Sequence, residues 1–174
     1  ERYKFGGVKT KGIYLDETVL RMCYTHRRYL VDLAQALISE ANQTDDEGLK
    51  AEKYTKAAKV LEKIDTELPA ENVPHDYMSR SIDQASCYAQ LGMKEQAQLI
   101  FDQLWLKSCQ YMDFYLSLND PMFKSNTNGC RTQFYIMQRI NDAAERFAPE
   151  LANNYSQSLQ GYISAYMNRG GSFQ

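Results

Sequence analysis

One stretch constrains this chain more than any other: Ala85 to Leu104, ASCYAQLGMKEQAQLIFDQL. Small residues stand at Ala85 and Ala97, aromatics at Tyr88 and Phe101, and Gly92 separates the two halves. Each half carries apolar residues at helical spacing, which predicts two antiparallel helices folded about Gly92. Small side chains let two helix axes approach to roughly 8–10 Å. Tyr88 and Phe101 then fill the space beside them, each able to bury roughly 150–250 Å². The stretch is a pair of nested rods.

Read for further rods, the chain supplies them in order. Residues Glu1 to Leu15 are glycine-rich and aperiodic, an extended lead-in. Asp16 is placed to cap a helix that starts at Glu17 and runs to about Ala41. Its stripe is Leu20, Cys23, Arg27, Leu30, Ala34, Leu37 and Ala41. Asn42 to Gly48 reads as a loop, and a second helix follows from about Leu49 to Glu67, presenting Ala57, Leu61 and Ile64. After a linker, Pro69 to His75, comes the central pair, whose second helix continues to about Leu118. Trp105, Leu106, Tyr111, Met112, Phe114 and Tyr115 make that helix apolar around most of its circumference, so the next hairpin is expected to cover it. Asn119 to Gly129 is dense in turn formers and reads as a loop. A fifth helix, about Arg131 to Phe147, carries Phe134, Met137, Ile140, Ala144 and Phe147. Pro149 suits the first turn of a sixth, with Leu151, Tyr155, Leu159, Tyr162 and Tyr166 on one stripe. Gly161 inside it costs about 1 kcal/mol relative to Ala. The tail, RGGSFQ, is expected to fray. Strand signals are absent, so the expected class is all-α, six helices in three hairpins over 16–69, 75–118 and 130–168.

Ala85, Tyr88, Gly92, Ala97, Phe101 and Leu104 resemble the tetratricopeptide pattern, a helix–turn–helix unit of about 34 residues. Ala34, Leu37, Ala57, Leu61, Ile64 and Pro69 resemble it again. There, residues around Asn42 to Lys53 lengthen the turn, so the first repeat is stretched. The resemblance implies a right-handed solenoid of stacked hairpins. In such a stack the first helix of each pair lines a concave face that holds partners. Spacing then turns Arg28, Asp32 and Gln35 on the first helix, with Ser79, Ile82, Ser86 and Gln90 on the third, toward a partner-binding groove.

Composition excludes more than it selects. A formal net charge of −2 and no basic block argue against binding nucleic acid through phosphates. No apolar run approaches the roughly 20 residues of a membrane span. The opening ERYKFGG has neither Met nor a signal-peptide pattern, which suggests a piece of a longer protein. Thirteen tyrosines are a heavy load, expected to lie between helices with their hydroxyls at the rim. The four cysteines, Cys23, Cys87, Cys109 and Cys130, lack CxxC spacing and read as reduced, buried thiols.

Candidate chemistry is sparse. His75-Asp76 suggests an acid–base pair, but adjacent residues do not face each other on a helix, and Asp76 reads as a cap. His26, Arg27 and Arg28 with Arg21 form a basic cluster, suited to an anion or, more ordinarily, to a solvated helix face. Neither a nucleophile elbow nor a phosphate-cradling glycine loop is present, since Gly6-Gly7 lacks the strand–turn–helix context. Asn42-Gln43-Thr44 and Asn154-Tyr155-Ser156 fit the glycosylation triplet, a pattern common by chance. No catalytic residue, metal or cofactor is expected.

A narrower resemblance lies in YKFGG, IYLDE, RMCYTHRRYLVDLAQALI, KAAKVLEKID and NVPHDY, spanning Tyr3 to about Asn168. These segments resemble the C-terminal soluble region of a family of bacterial multi-pass membrane proteins of unknown function, related to protein O-mannosyltransferases. The resemblance implies a parent that moves sugar from a lipid-linked donor onto protein at the periplasmic face. Tyr14, Leu15, Asp16 and Glu17 correspond to its structural signature, and the acidic catalytic residues belong to the absent membrane part. The expected function is a non-catalytic interaction module, recruiting a protein or peptide acceptor or an assembly partner. The competing expectation is a glycan or small-molecule domain using Trp105, Tyr155 and Tyr162 in a pocket between hairpins. A purely structural cap on the parent is a third.

Overall fold

A computed structural model of the chain describes residues 4–173; Glu1 to Tyr3, Gln174 and the expected stripe position Leu151, as a side chain, lie outside the described residues. Among the described residues the fold is all-α, with seven helices, one 3₁₀ turn and no strand. The chain forms two compact units that divide between Ala97 and Gln98.

The first unit is built on α1, Glu17–Asn42. Asp16 starts it as expected, its Oδ1 accepting from the Thr18 and Val19 amides at 2.8 and 3.0 Å. Its buried stripe is Cys23, Arg27, Val31, Ala34, Ile38 and Ala41. Val31 and Ile38 thus replace the expected Leu30 and Leu37, because α1 meets more than one partner and its inward face is rotated. Helix α2, Glu47–Glu67, begins two residues before the expected start, capped by Asp46 through the Gly48 and Leu49 amides. The residues that lengthen the first repeat therefore extend a helix, and the turn stays short. Tyr54 donates to Asn42 Oδ1 at 2.5 Å, and Lys53 pairs with Glu40, tying that extra turn to α1. Ala57, Leu61 and Ile64 are buried against α1. Leu61 and Ile64 each contribute about 1.5–3 kcal/mol of burial.

The lead-in is not extended. It folds into successive turns (Val8 N–H to Phe5 O, Thr10 N–H to Gly7 O) and is tied down, since Asn72 Nδ2 donates to the Val8 and Thr10 carbonyls. Phe5, Val8 and Leu15 pack on Cys23, Leu68 and Val73. A 3₁₀ turn, Tyr77–Ser79, follows the linker and leads into α3, Ser81–Gln90. The chain then turns at Gly92, whose φ of +77° favours a residue without Cβ. The Met93 amide bonds back to the Tyr88 carbonyl at 2.9 Å, ending α3 as the sequence predicts. Helix α4, Lys94–Ser117, carries the division between the units.

The second unit contains the remainder of α4, α5 (Asp120–Ser125), α6 (Thr127–Phe147) and α7 (Pro149–Asn168). Helix α6 pairs with α7 and buries Cys130, Phe134, Met137, Ile140, Asn141 and Ala144. Two expectations fail here for physical reasons. Most of Asn119 to Gly129 is helical, because Asn119 caps α5 through the Met122 amide, Pro121 sits in its first turn and Phe123 is buried. The tail is anchored rather than frayed. Tyr166 Oη and Arg131 Nε both donate to the Ser172 carbonyl, and Phe173 packs edge-on against Phe134. The expected cover over α4 is also partial: Trp105 and Met112 are buried, but Leu106, Tyr111 and Phe114 remain exposed.

Candidate functional site

The site begins with a buried cation. Arg27 sits on the inward stripe of α1 and is fully buried. Its guanidinium donates to the Leu68, Val73 and Pro74 carbonyls at 2.9, 2.6 and 2.9 Å, with a longer bond to Ser79 Oγ. These carbonyls end α2 and line the linker, so one side chain fixes where the linker leaves α2. Burial lowers the Arg27 pKa to about 10, which leaves it charged at neutral pH. Beside it, His75 Nδ1 and Ser81 Oγ share a hydrogen bond of 3.1 Å. Burial, and then the Arg27 charge, push His75 down to about 3, so it is neutral. Asp76 does act as a cap, accepting from the Met78 amide at 2.8 Å. The His75-Asp76 pair is therefore structural.

Arg80 closes the arrangement. It holds the left-handed conformation, φ +59° and ψ +33°, at the junction between the 3₁₀ turn and α3. That conformation costs a side-chain-bearing residue about 1–2 kcal/mol. Its guanidinium offsets the cost by pairing with Asp32, donating to Gln35 Oε1 at 2.8 Å and to Asp83 Oδ2 at 2.9 Å. The 3₁₀ turn is thereby pinned against α1, and Met78 at its centre is held outward.

Between these elements lies a hollow of about 720 Å³. Arg21, Tyr24, Thr25, Arg28, Tyr29 and Asp32 line it from α1, and Met78 from the 3₁₀ turn. A second hollow of about 540 Å³ lies where α2 faces Tyr88, Met93 and Gln96, with Asp65 at its edge. There Tyr88 Oη donates to Asp65 Oδ2 at 2.5 Å and Gln84 Nε2 to Asp65 Oδ1 at 3.0 Å. Burial raises the Asp65 pKa despite these bonds, and burial with the adjacent carboxylate raises that of Tyr88.

The residues expected to line a groove separate into two sets. Asp32 and Gln35 join Arg80 and Asp83 in one polar cluster, and Arg28 is exposed on the hollow. Gln90 is exposed, its amide turned to the Ser86 carbonyl. Ser79, Ile82 and Ser86 are buried at 0%, 3% and 6% and present nothing to a partner. Eight of the ten residues of α3 are buried, and its serines satisfy themselves locally: Ser86 Oγ donates to the Ile82 carbonyl. Sequence reading missed Tyr29, Met78 and Arg80. Tyr29 follows Arg21, Thr25 and Arg28 on one face of α1, a visible signal, whereas nothing local marks Met78.

The aromatic alternatives are engaged in packing. Trp105 and Tyr155 are both buried with ring centroids 4.7 Å apart, and Tyr155 Oη donates to Asp102 at 2.6 Å. Tyr162 Oη donates to Asp113 at 2.8 Å. Cys23, Cys87 and Cys130 are buried, Cys109 is half-buried, and all four are free. Burial, with Asp83 adding to it, pushes the Cys87 thiol up to about 12, far from a reactive thiolate. Among the described residues no cluster of His, Cys, Asp and Glu could hold a metal, and no helix is long and apolar enough to cross a membrane. Comparisons with protein families, curated proteins and solved structures return no match.

Proposed function

We propose that this chain is a non-catalytic interaction module that docks a protein or peptide partner in the hollow beside α1. One observation carries the reading: an open, partly apolar concavity whose two walls, α1 and the 3₁₀ turn, are locked together by Arg27 and Arg80. A preformed wall reduces the ordering cost of binding. Asp32 is paired with Arg80 and Arg21 with Glu17, while Arg28 is an exposed cation, so the site is read as one of recognition.

Within this reading the helices form three hairpins, over 16–69, 75–118 and 130–168, stacked as a right-handed tetratricopeptide-like solenoid. The α1–α2 and α6–α7 pairs and the turn at Gly92 support it. The parent is a bacterial membrane glycosyltransferase-like protein, and this module stands at the periplasmic face and recruits its acceptor or an assembly partner. The support there is the sequence likeness, including the lead-in Tyr14 to Glu17.

The test uses methionine methyl resonances, since Met78 lines the hollow, Met22 is exposed one residue from its lining residue Arg21, and Met112 and Met137 are buried elsewhere. Titration with fractionated periplasmic protein is expected to broaden Met78 and Met22 selectively. Uniform change at all methyls, or none, would contradict the proposal, as would sugar transfer catalysed by the chain alone.

A further inference from the structure

We infer that the hollow beside α1 takes a protein segment offering a carboxylate next to an apolar side chain; the inference rests on the interaction-module reading and names the partner's chemistry. Tyr29 and Met78 come from different elements, line the same hollow and are 66% and 72% exposed. Met22 and Leu33, at 57% and 48%, extend the apolar surface along α1. A partner's apolar side chain can cover such a patch, and the thioether of Met78 adapts to aliphatic or aromatic shapes.

Charge decides the rest. Asp32 is the acidic residue lining the hollow, and Arg80 neutralises it. Arg21 pairs with Glu17 at 2.5 Å. Arg28 is exposed and makes no ion pair among the described residues. The hollow therefore keeps one uncompensated guanidinium beside a tyrosine and a methionine. A guanidinium meets a carboxylate in a bidentate geometry that no neutral side chain reproduces. An anionic membrane is a poorer occupant, because its surface attracts clusters of cations. Here two exposed arginines share a helix with Glu17, Asp32 and Glu40.

The experiment is selection of random peptides displayed on phage against the immobilised chain, with the most enriched peptide then synthesised and titrated. Enriched sequences are expected to place Asp or Glu beside Leu, Phe or Met. Affinity is expected to fall by about tenfold or more in Arg28→Glu, as for loss of a charge pair. Arg28 is exposed, so the variant's thermal midpoint serves as the folding control; Tyr29→Ala is a second variant that leaves charge unchanged and is expected to weaken binding too. Neutral or basic sequences, or acidic ones that bind Arg28→Glu as tightly as the native chain, overturn the inference and leave the interaction module standing. No enrichment of any sequence overturns both. Vesicles of phosphatidylglycerol that bind the chain through Arg28, with no acidic peptide enriched, overturn the choice of a protein occupant.

Discussion

Arg27 shows how much one residue can organise. It was legible as an inward position by spacing alone, yet its sequence neighbours His26 and Arg28 suggested a solvated cluster. What the sequence could not reveal was the set of carbonyls, more than forty residues away, that make burial of a cation tolerable. Arg27→Met keeps most of the volume but leaves those acceptors without a donor. It is expected to lower stability by about 3–5 kcal/mol in urea unfolding. His75 makes a separate prediction. Its folded pKa is about 3 against an ordinary 6.5, so between these values the unfolded chain binds a proton that the folded chain refuses. Stability should therefore decline as pH falls from 6.5 toward 3, by an amount on the order of a few kcal/mol. Thermal midpoints measured across that window should fall less steeply in His75→Gln.

At the scale of elements, the break at Gly92 between α3 and α4 was the most legible part, because the helical spacing on either side of the glycine agreed with it. Ala97 and Phe101 are fully buried. Phe101→Ala should cost about 3–5 kcal/mol through the cavity it leaves. Ala97→Leu should cost about 1–3 kcal/mol through overpacking. Calorimetric unfolding checks both, and unchanged midpoints would count against the proposed pairing of these helices. Asn119 and Pro121 misled because turn formers are also helix starters, and only the burial of Phe123 distinguishes the two. The tail misled because two of its anchors, Arg131 and Phe134, are remote in sequence, and Gly171 lies against the Tyr166 ring so closely that no Cβ fits without displacing it. Gly171→Ala is expected to release the tail, read as faster amide exchange after Asn168. On α3, Ile82 and Ser86 are buried while Gln90 is exposed. Serine looks solvent-facing in sequence, but a small side chain with a local partner is buried readily in a short helix that meets α1 and α2.

For the whole molecule, helical class and the position of α1 followed from patterning, while the hollow did not. Its walls come from elements nearly fifty residues apart, joined by Arg80 to Asp32 and Gln35, and no local pattern announces such a meeting. The function proposed here depends on that meeting. Its most direct test places a photoactivatable phenylalanine at Tyr29, and in a separate variant at Lys56 on α2, in cells that make the full-length protein. Partner adducts identified by mass spectrometry are expected from position 29 and not from position 56. Equal adducts from both positions, or none from position 29, would contradict a docking site beside α1.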